Sequence, residues 1–577
     1  MIFLKDYIKR DFIIFYLCRI RSKLAKNRNK SHLLHLITTN PRYNYHNRSL
    51  NKNEEEITKL FPPRKTWKKL GPENRGSIAK PLNSVDKNIK SLLYTISGLE
   101  KKHPDNQAIK SMDNFVNSIT TAIYSKNYKI GNPIIYPKPK DDDKELPLKC
   151  RPISLFNLKD KIIICLVNKY LTDLFDKYFY TNSLAFRSRR NIDGLNITPN
   201  HHDALKSIAK YISAYPNGNL WVAECDMMKF YDSVRHYTIK RHFDELCKKV
   251  KKDNRDQDLQ FARSIFFNYL DCYSFTGNVL PLNKDITFFN RHGISSGSFE
   301  WIERDLEKKC YYKSFIKEKI GVPQGGALSG LIANIVLDHV DKEVLKTGDQ
   351  DLFYVRYCDD MLIVHPDKQA CTEAYKRYLL ALRDLKLIPH PSLHLQEYSK
   401  EFWKAKSKNP YLWGRNTING SPWIGFVGYE INRDGEIRVR KKSLKKEMKK
   451  QYETINSIRQ AIKHNTKRAR NRSIEESAIN KLIGSSVGRV KIWNFGSMYN
   501  DMCWVKGFSQ LNNNKSSMVQ IKRLDACRNK LIRKLKKDLS KSPEIEKKEG
   551  HIKRKQILYY GKPFSYYYHV FEKEPYA

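Results

Sequence analysis

The chain has 577 residues, and its 107 Lys and Arg against 61 Asp and Glu leave a formal charge of +46. That length predicts two or more domains with cores that need no disulfide support. With 40% hydrophobic and 12% aromatic residues the chain is too apolar for a disordered polycation. No stretch approaches the ~18 uncharged apolar residues of a membrane-spanning helix, so no membrane partner is expected. The charge excess points to a polyanion, nucleic acid first.

The eleven cysteines include no CxxC pair. They read as reduced, packed thiols of a cytoplasmic protein and not as zinc ligands or a disulfide frame.

In chain order, the apolar run Phe12–Cys18, flanked by charges and lacking a cleavage site, predicts an amphipathic helix docked on the body. The first fifty residues hold eleven Lys/Arg against Asp6 and Asp11, a basic extension over residues 1–60. Ile89, Leu92, Leu93 and Ile96, then Phe115, Ile119 and Ile123, give helical spacing across 84–125. A strand over 132–136 leads into a charged hairpin tip, followed by an amphipathic helix over 158–179. Residues 219–226, NLWVAECD, form a β run ending on an acid, and a β pair over 352–365 turns at Cys358-Asp359-Asp360. Between them, the stretch near 290–301 reads as an exposed insertion. Residues 438–472 carry fourteen Lys/Arg and two Glu while keeping a buried stripe at helical spacing. Residues 519–539 repeat that design, and the tyrosine-rich tail, 557–577, reads as irregular.

Adjacent carboxylates on a tight turn between apolar strands are unfavourable unless a cation binds them. A divalent metal suits oxygen ligands that leave positions for water and phosphate. Asp226 at the end of a second β run supplies a further carboxylate, as a two-metal phosphoryl-transfer site needs. Between the two lies Gly321-Val-Pro-Gln-Gly-Gly-Ala-Leu-Ser329, a Gly/Pro turn entering a helix, where backbone can approach a nucleotide and Gln324 can hydrogen-bond it.

Six segments in order then resemble the motifs of bacterial reverse transcriptases related to those of retrons and group II introns. They are 134–164 (IIYPKPK through RPIS to the following helix), 183–190 (SLAFRSRR), 225–232 (CDMMKFYD), 321–329 (GVPQGGALS), 357–360 (YCDD) and 426–443 (FVGYEINRDGEIRVRKKS). Within that family the chain looks most like the "unknown group" enzymes associated with phage defence. The stretches 504–512 (WVKGFSQLN) and 522–525 (KRLD) and the long N-terminal extension carry that likeness.

The resemblance implies an α+β right-hand polymerase. Its parts would be fingers over 61–218, a palm over 219–437 with an insertion at about 250–316, a thumb starting over 438–480, and a helical C-terminal region over 481–577. It implies Asp226, Asp359 and Asp360 as catalytic metal ligands, with Mg²⁺, or Mn²⁺ in its place, as cofactor. Asp360 is the least secure of the three as a direct ligand. Arg151 and Lys138 would bind the incoming triphosphate, with Lys140, Lys144 and Lys149 competing for the lysine role. Gln324 would contact the template–nucleotide pair, and Tyr231 would exclude a ribose 2′-OH and so select dNTPs. Phe426, Gly428 and Tyr429 would form the primer grip. The family's proton-donating lysine has no clean counterpart, Lys400 being the candidate.

Implied partners are an RNA template of structured noncoding type, the DNA product and dNTPs, with a homo-oligomer allowed. Tyr566, Tyr567 and Tyr568 are candidates for priming synthesis on a protein hydroxyl. Template-independent synthesis, or an idle fold serving as RNA scaffold, are the alternatives.

Overall fold

The computed structural model describes residues 2–38, 50–74, 76, 82, 84–125, 127–140, 145–192, 195–253, 258–312, 318–394, 399–414, 423–463, 467–486, 507–511, 514–543 and 561–573. The fold is mixed α+β with mainly antiparallel strand pairing. Two compact units emerge, Met1–Ile14 with Ser111–Pro422, and Phe15–Lys110 with Trp423–Ala577.

The strands of the first unit are β1 (Ile134–Pro139), β2 (Leu148–Leu155), β3 (Arg190–Ile192), β4 (Leu195–Ile197), β5 (Trp221–Cys225), β6 (Gly297–Phe299), β7 (Phe353–Tyr357), β8 (Asp360–His365), β9 (Ser392–Leu393) and β10 (Ser407–Leu412). Five of them form a sheet in the order β7-β8-β5-β10-β9. Its central strands read as continuous apolar runs, with Val222, Ala223 and Met361 through Val364 all buried, as expected of strands covered on both faces. Helix Lys368–Asp384 packs against β5, β8 and β10. It does so with Cys371, Ala374, Tyr375 and Tyr378, a helical i, i+3, i+4, i+7 stripe.

The outer edge of β7 is covered by the segment around Ser183. Arg356 N–H donates to the Asn182 carbonyl (3.1 Å) and the Leu184 N–H donates to the Arg356 carbonyl (3.0 Å). That cover is itself braced from below. Arg187 Nε and Arg190 Nε donate to the Asp176 carboxylate at 2.6 and 2.9 Å, while Arg187 Nη1 reaches the carbonyls of Tyr180 and Ser183. Arg187 and Arg190 of SLAFRSRR are therefore scaffolding.

A second sheet has the order β1-β2-β6. Strand β6 joins β2 in parallel, pairing Leu148 with Gly297 and Cys150 with Phe299. This corrects the reading of residues 290–301 as an exposed insertion. Phe288, Phe289 and Phe299 are buried and stack edge to edge, so the segment is built into the sheet.

In the second unit, β11 (Ile424–Phe426), β12 (Tyr429–Ile431) and β13 (Ile437–Val439) form an antiparallel sheet. Val427 and Gly428, which close the β11–β12 turn, have φ of 43° and 91°. Two consecutive positive φ values are what a two-residue hairpin turn requires, and a valine there is costly. Phe426 and Tyr429 on either side are buried.

The basic helices Lys441–Lys463 and Lys515–Ser540 bury Ile455, Ile458, Ile462, Leu531, Ile532 and Leu535 in one core with Ile474 and Leu482. The described part of the tail differs from its irregular reading. Pro563–Lys573 is a helix whose first turn is held by Asp525, which accepts from the Phe564 and Ser565 N–H groups (3.1 and 2.8 Å) and the Ser565 hydroxyl (2.7 Å). Tyr568 is 2% exposed there and packs edge-on against Phe508, whereas Tyr566 is exposed. The Tyr567 side chain lies outside the described residues, as do residues 504–506. No helix among the described residues is long and apolar enough to cross a membrane.

A fully buried ion pair joins β7 of the central sheet to helix Leu328–Val344. Arg356 Nε and Nη2 donate to Asp341 at 2.7 and 2.6 Å, with both side chains at 0% exposure. Removing one partner leaves a charge in the core, which costs about 3–5 kcal/mol. Asp341→Ala is therefore expected to lose that much unfolding free energy by guanidinium titration, whereas Lys376→Ala on the surface is expected to change it by less than about 1 kcal/mol.

Candidate active site

Two carboxylates converge where the central sheet ends. Asp226 follows the last residue of β5, and Asp359 sits in the turn between β7 and β8, the strand next to β5. The backbone around Asp226 is fixed on three sides. Its N–H donates to Ser407 Oγ (3.0 Å), and its carbonyl accepts from the His390 N–H (2.9 Å) and the Ser407 hydroxyl (3.0 Å). Carboxylate oxygen Oδ1 accepts from the Met227 N–H at 2.8 Å. Oδ2 lies 3.6 Å from Lys406 Nζ and 3.8 Å from His390 Nε2.

The turn presenting Asp359 is strained. Tyr357 pairs with Asp360, so only Cys358 and Asp359 make the turn, and Cys358 has a φ of 60°. That region is natural for glycine at the first position of a tight hairpin turn. Arg356 Nη1 donates to the Cys358 carbonyl (3.3 Å) and to Asn334 (3.1 Å), so the buried pair with Asp341 also anchors the turn.

The Asp226 carboxyl feels the Asp359 charge. Burial raises the Asp226 carboxyl, Lys406 opposes the rise and the Asp359 charge adds to it, leaving a pKa of about 6. Asp359 is likewise raised by burial, against the pull of Lys406 and Arg151. Asp360, at the start of β8, is exposed. The structure thus brings Asp226 and Asp359 together as a half-buried pair, with Asp360 outside it.

Among the described residues, no three His, Cys, Asp or Glu side chains are arranged to cage a metal ion. Mg²⁺ is usually held by one or two carboxylates plus substrate phosphates and water. Two oxygen-donor acids with raised pKa values and a lysine ammonium beside them fit that chemistry. Asp226 and Asp359 would hold the ion.

Arg151 and Lys138 are cross-strand partners in β2 and β1, both exposed on one face of the hairpin. Of the competing lysines, Lys140 and Lys149 pair with Glu300, and Lys144 lies outside the described residues.

The GVPQGG turn is fastened to the same hairpin, the Ser154 N–H donating to the Gln324 carbonyl at 2.8 Å. Its glycines are needed. A Cβ on Gly326 would stand 1.9 Å from the Tyr269 hydroxyl, and Gly325 has a φ of 93°. The Gln324 amide donates to Asp232 (2.7 Å), a buried acid in the same segment as Asp226. Tyr231 stacks edge-on with Phe230. Its phenol is raised by burial first, with Cys358 and Asp359 adding, so the ring lies beside the Asp359 turn.

Phe426, Gly428 and Tyr429 belong to the second unit, where the Gly428 carbonyl accepts from the Arg440 N–H (3.0 Å). The Lys400 side chain lies outside the described residues. Sequence reasoning missed Lys406, His390, Ser407, Asp232 and Glu300. Asp232, in the run from Asp226 to Asp232, and Glu300, in the 290–301 stretch, stood in segments already singled out; Lys406, His390 and Ser407 come from distant parts of the chain whose pairing no local pattern announces.

Residues 136–392 match the family described as "Reverse transcriptase (RNA-dependent DNA polymerase)". Among solved structures the chain aligns with telomerase from Candida albicans in complex with a TWJ fragment of telomeric RNA, at 14% identity over 80% of this chain and 74% of that one, with a TM-score of 0.31. It also aligns with apo telomerase from Candida tropicalis at 12% identity, over 78% of this chain and 74% of that one, with a TM-score of 0.31. No curated protein matches in sequence.

Asp232 gives this site a pH signature. Burial raises its pKa from 3.8 to about 6, against the opposing Lys229 charge and the Gln324 hydrogen bond. The folded chain therefore holds this proton more tightly than the unfolded one. The resulting stabilisation is full below pH 3.8 and lost as pH rises through about 6. In denaturant titrations across that window, the stability of the parent protein is expected to fall relative to Asp232→Asn by up to about 1.4 kcal/mol per pH unit. Parallel curves would show that Asp232 is not the group responsible.

Proposed function

From the reverse transcriptase domain over residues 136–392, which makes the chain an RNA-directed DNA polymerase, we propose that it copies a structured noncoding RNA into DNA from dNTPs by a two-metal reaction, in an antiphage defence system. The observation that carries the catalytic part is the pairing of Asp226 with Asp359, each raised by burial, at neighbouring strand ends. A bound divalent ion supplies the positive charge that activates the primer hydroxyl and stabilises departing pyrophosphate. Asp226, held by Ser407 and His390, and Asp359, held through its turn by Arg356, keep the two carboxylates in place.

Arg151 and Lys138 meet the triphosphate as cations on a preorganised β hairpin. Asp232 fixes the Gln324 amide under the nascent pair. Tyr231, beside the Asp359 turn, leaves no room for a 2′-OH. The basic faces of helices Lys441–Lys463 and Lys515–Ser540 suit sequence-independent, salt-sensitive contact with phosphates. The template class and the defence role rest on the likeness of residues outside the catalytic motifs to defence-associated enzymes, and on this cationic surface.

The test uses purified full-length chain with Mg²⁺, labelled dNTPs and its copurifying nucleic acid, with and without ribonuclease. Incorporation is expected in the parent protein, at least 10³-fold less in Asp359→Asn (an order-of-magnitude figure for losing a metal-binding acid), and none after ribonuclease. Ribonuclease-insensitive synthesis would overturn the RNA template, and full activity in Asp359→Asn would overturn the site. Tyr231→Ala is expected to incorporate rNTPs that the parent protein rejects. In cells, loss of phage protection in Asp359→Asn is expected; protection independent of Asp359 would overturn the link between DNA synthesis and defence.

A further inference from the structure

The β1–β2 hairpin carries more positive charge than a triphosphate grip requires. Lys138 stands opposite Arg151, and the ladder continues one step further, where the Lys140 N–H donates to the Lys149 carbonyl at 2.9 Å. Strand side chains alternate faces, so Lys138, Lys140, Lys149 and Arg151 share one face. A fifth cation, Lys229, arrives from the segment that begins at Asp226. Its backbone is in the left-handed region with φ 50°, and burial lowers its pKa.

Into this cluster β6 delivers one acid. Because Lys149 pairs with Ser298 and Cys150 with Phe299, the next residue, Glu300, falls beside Arg151 on the cationic face. Glu300 Oε2 accepts from Lys140 Nζ (2.5 Å) and Lys229 Nζ (3.2 Å), and Oε1 lies 3.3 Å from Lys149 Nζ. Three ammonium groups therefore share one carboxylate. Burial would raise that carboxyl, but the Lys140 hydrogen bond and the charges of Lys229 and Lys140 bring it down to about 2, so it stays ionised.

We infer that Glu300 is a specificity-determining residue of the nucleotide site, an internal anion that competes with polyphosphate for Lys140, Lys149 and Lys229. The inference rests on the polymerase reading of this site. With the carboxylate in place, the inner lysines are partly neutralised and the outer pair, Lys138 and Arg151, does most of the gripping. Without it, five cations would face the polyphosphate, and pyrophosphate would leave slowly. The inserted segment thus weakens the hold on the product while leaving the approach of the substrate attractive.

The consequence has a sign opposite to that of a merely supporting residue. A unit negative charge several ångströms from a polyanion opposes its binding by enough to change affinity about tenfold or more. Glu300→Gln and Glu300→Ala, two neutral replacements of different size, are therefore expected to bind sodium tripolyphosphate about tenfold more tightly than the parent chain. Calorimetry of the full-length protein without metal or nucleic acid measures this. Glu300→Asp, which keeps the charge, is expected to bind close to the parent value. In the polymerase assay the two neutral variants are expected to be inhibited by pyrophosphate at about tenfold lower concentration.

Unchanged or weaker tripolyphosphate binding in the folded neutral variants would overturn the role of Glu300, showing that it only positions the lysines. That outcome is separate from failure of the polymerase reading, which would appear as no dNTP incorporation by the parent protein whatever its affinity for tripolyphosphate.

Discussion

A guanidinium with no access to solvent organises the end of the central sheet where Asp359 sits. Arg356 spends two of its donors on Asp341, and turns the rest to Asn334 and to the carbonyl of Cys358. Because the pair is fully buried, its geometry is enforced by the cost of leaving either charge unmatched. The Cys358 carbonyl is consequently held, and with it a hairpin turn whose first residue is in a conformation that side chains disfavour. The strain at Cys358 and the burial of Asp359 are both unfavourable in isolation. They persist because the arginine beneath them leaves the turn no cheaper arrangement.

The same logic extends outward in layers. Backbone groups of Arg356 bind the segment around Ser183, and that segment is stiffened by Arg187 and Arg190 on Asp176. The backbone of Asp226 is held by hydrogen bonds with Ser407 at the start of β10 and with His390 just before β9. The two carboxylates thus approach one another from independently braced elements. Burial raises both carboxyls, and the Asp359 charge adds to the rise at Asp226. In the proposed reaction a cation bound there would meet carboxylates already in place, so little reorganisation would be needed.

How much of this was legible in the sequence follows from the range of the interactions. Strand ends bearing Asp226 and Asp359, the GVPQGG turn and the basic helices all announce themselves through local periodicity and residue type. The buried stripe of helix Lys441–Lys463 and the hairpin pairing of Lys138 with Arg151 belong to the same class. Residues 290–301 failed because a three-residue strand rich in Gly and Ser has no apolar alternation to betray it. Its place is decided by backbone pairing with β2 and by Phe289 and Phe299 packing behind it. The tail was misread for a related reason. Its helix begins on the carboxylate of Asp525, some forty residues earlier in the chain, and no local N-cap signals it. Lys406 and His390 escaped notice because a lone lysine or histidine in a polar loop carries no information until its distance to Asp226 is known.

The distribution of charge is the last constraint, and it cuts against a simple reading of +46. A uniformly cationic cleft would bind substrate, product and template alike, and turnover requires that at least one of them leave. The acids that interrupt the excess lie at the points where release matters. In the proposed reaction Asp226 and Asp359 stand where charge changes hands; Asp232 fixes the amide of Gln324, and Glu300 sits among the lysines beside the proposed triphosphate grip. Glu300 shares three ammonium groups, so the local field there stays positive while its depth is trimmed. Long-range attraction for polyanions is set by the surplus as a whole, and it falls off with ionic strength over roughly a Debye length. The hold on any one phosphate group depends on a few charges within contact distance. On the proposed reading the chain would keep a strong pull on nucleic acid while adjusting its grip on the leaving group with a single carboxylate.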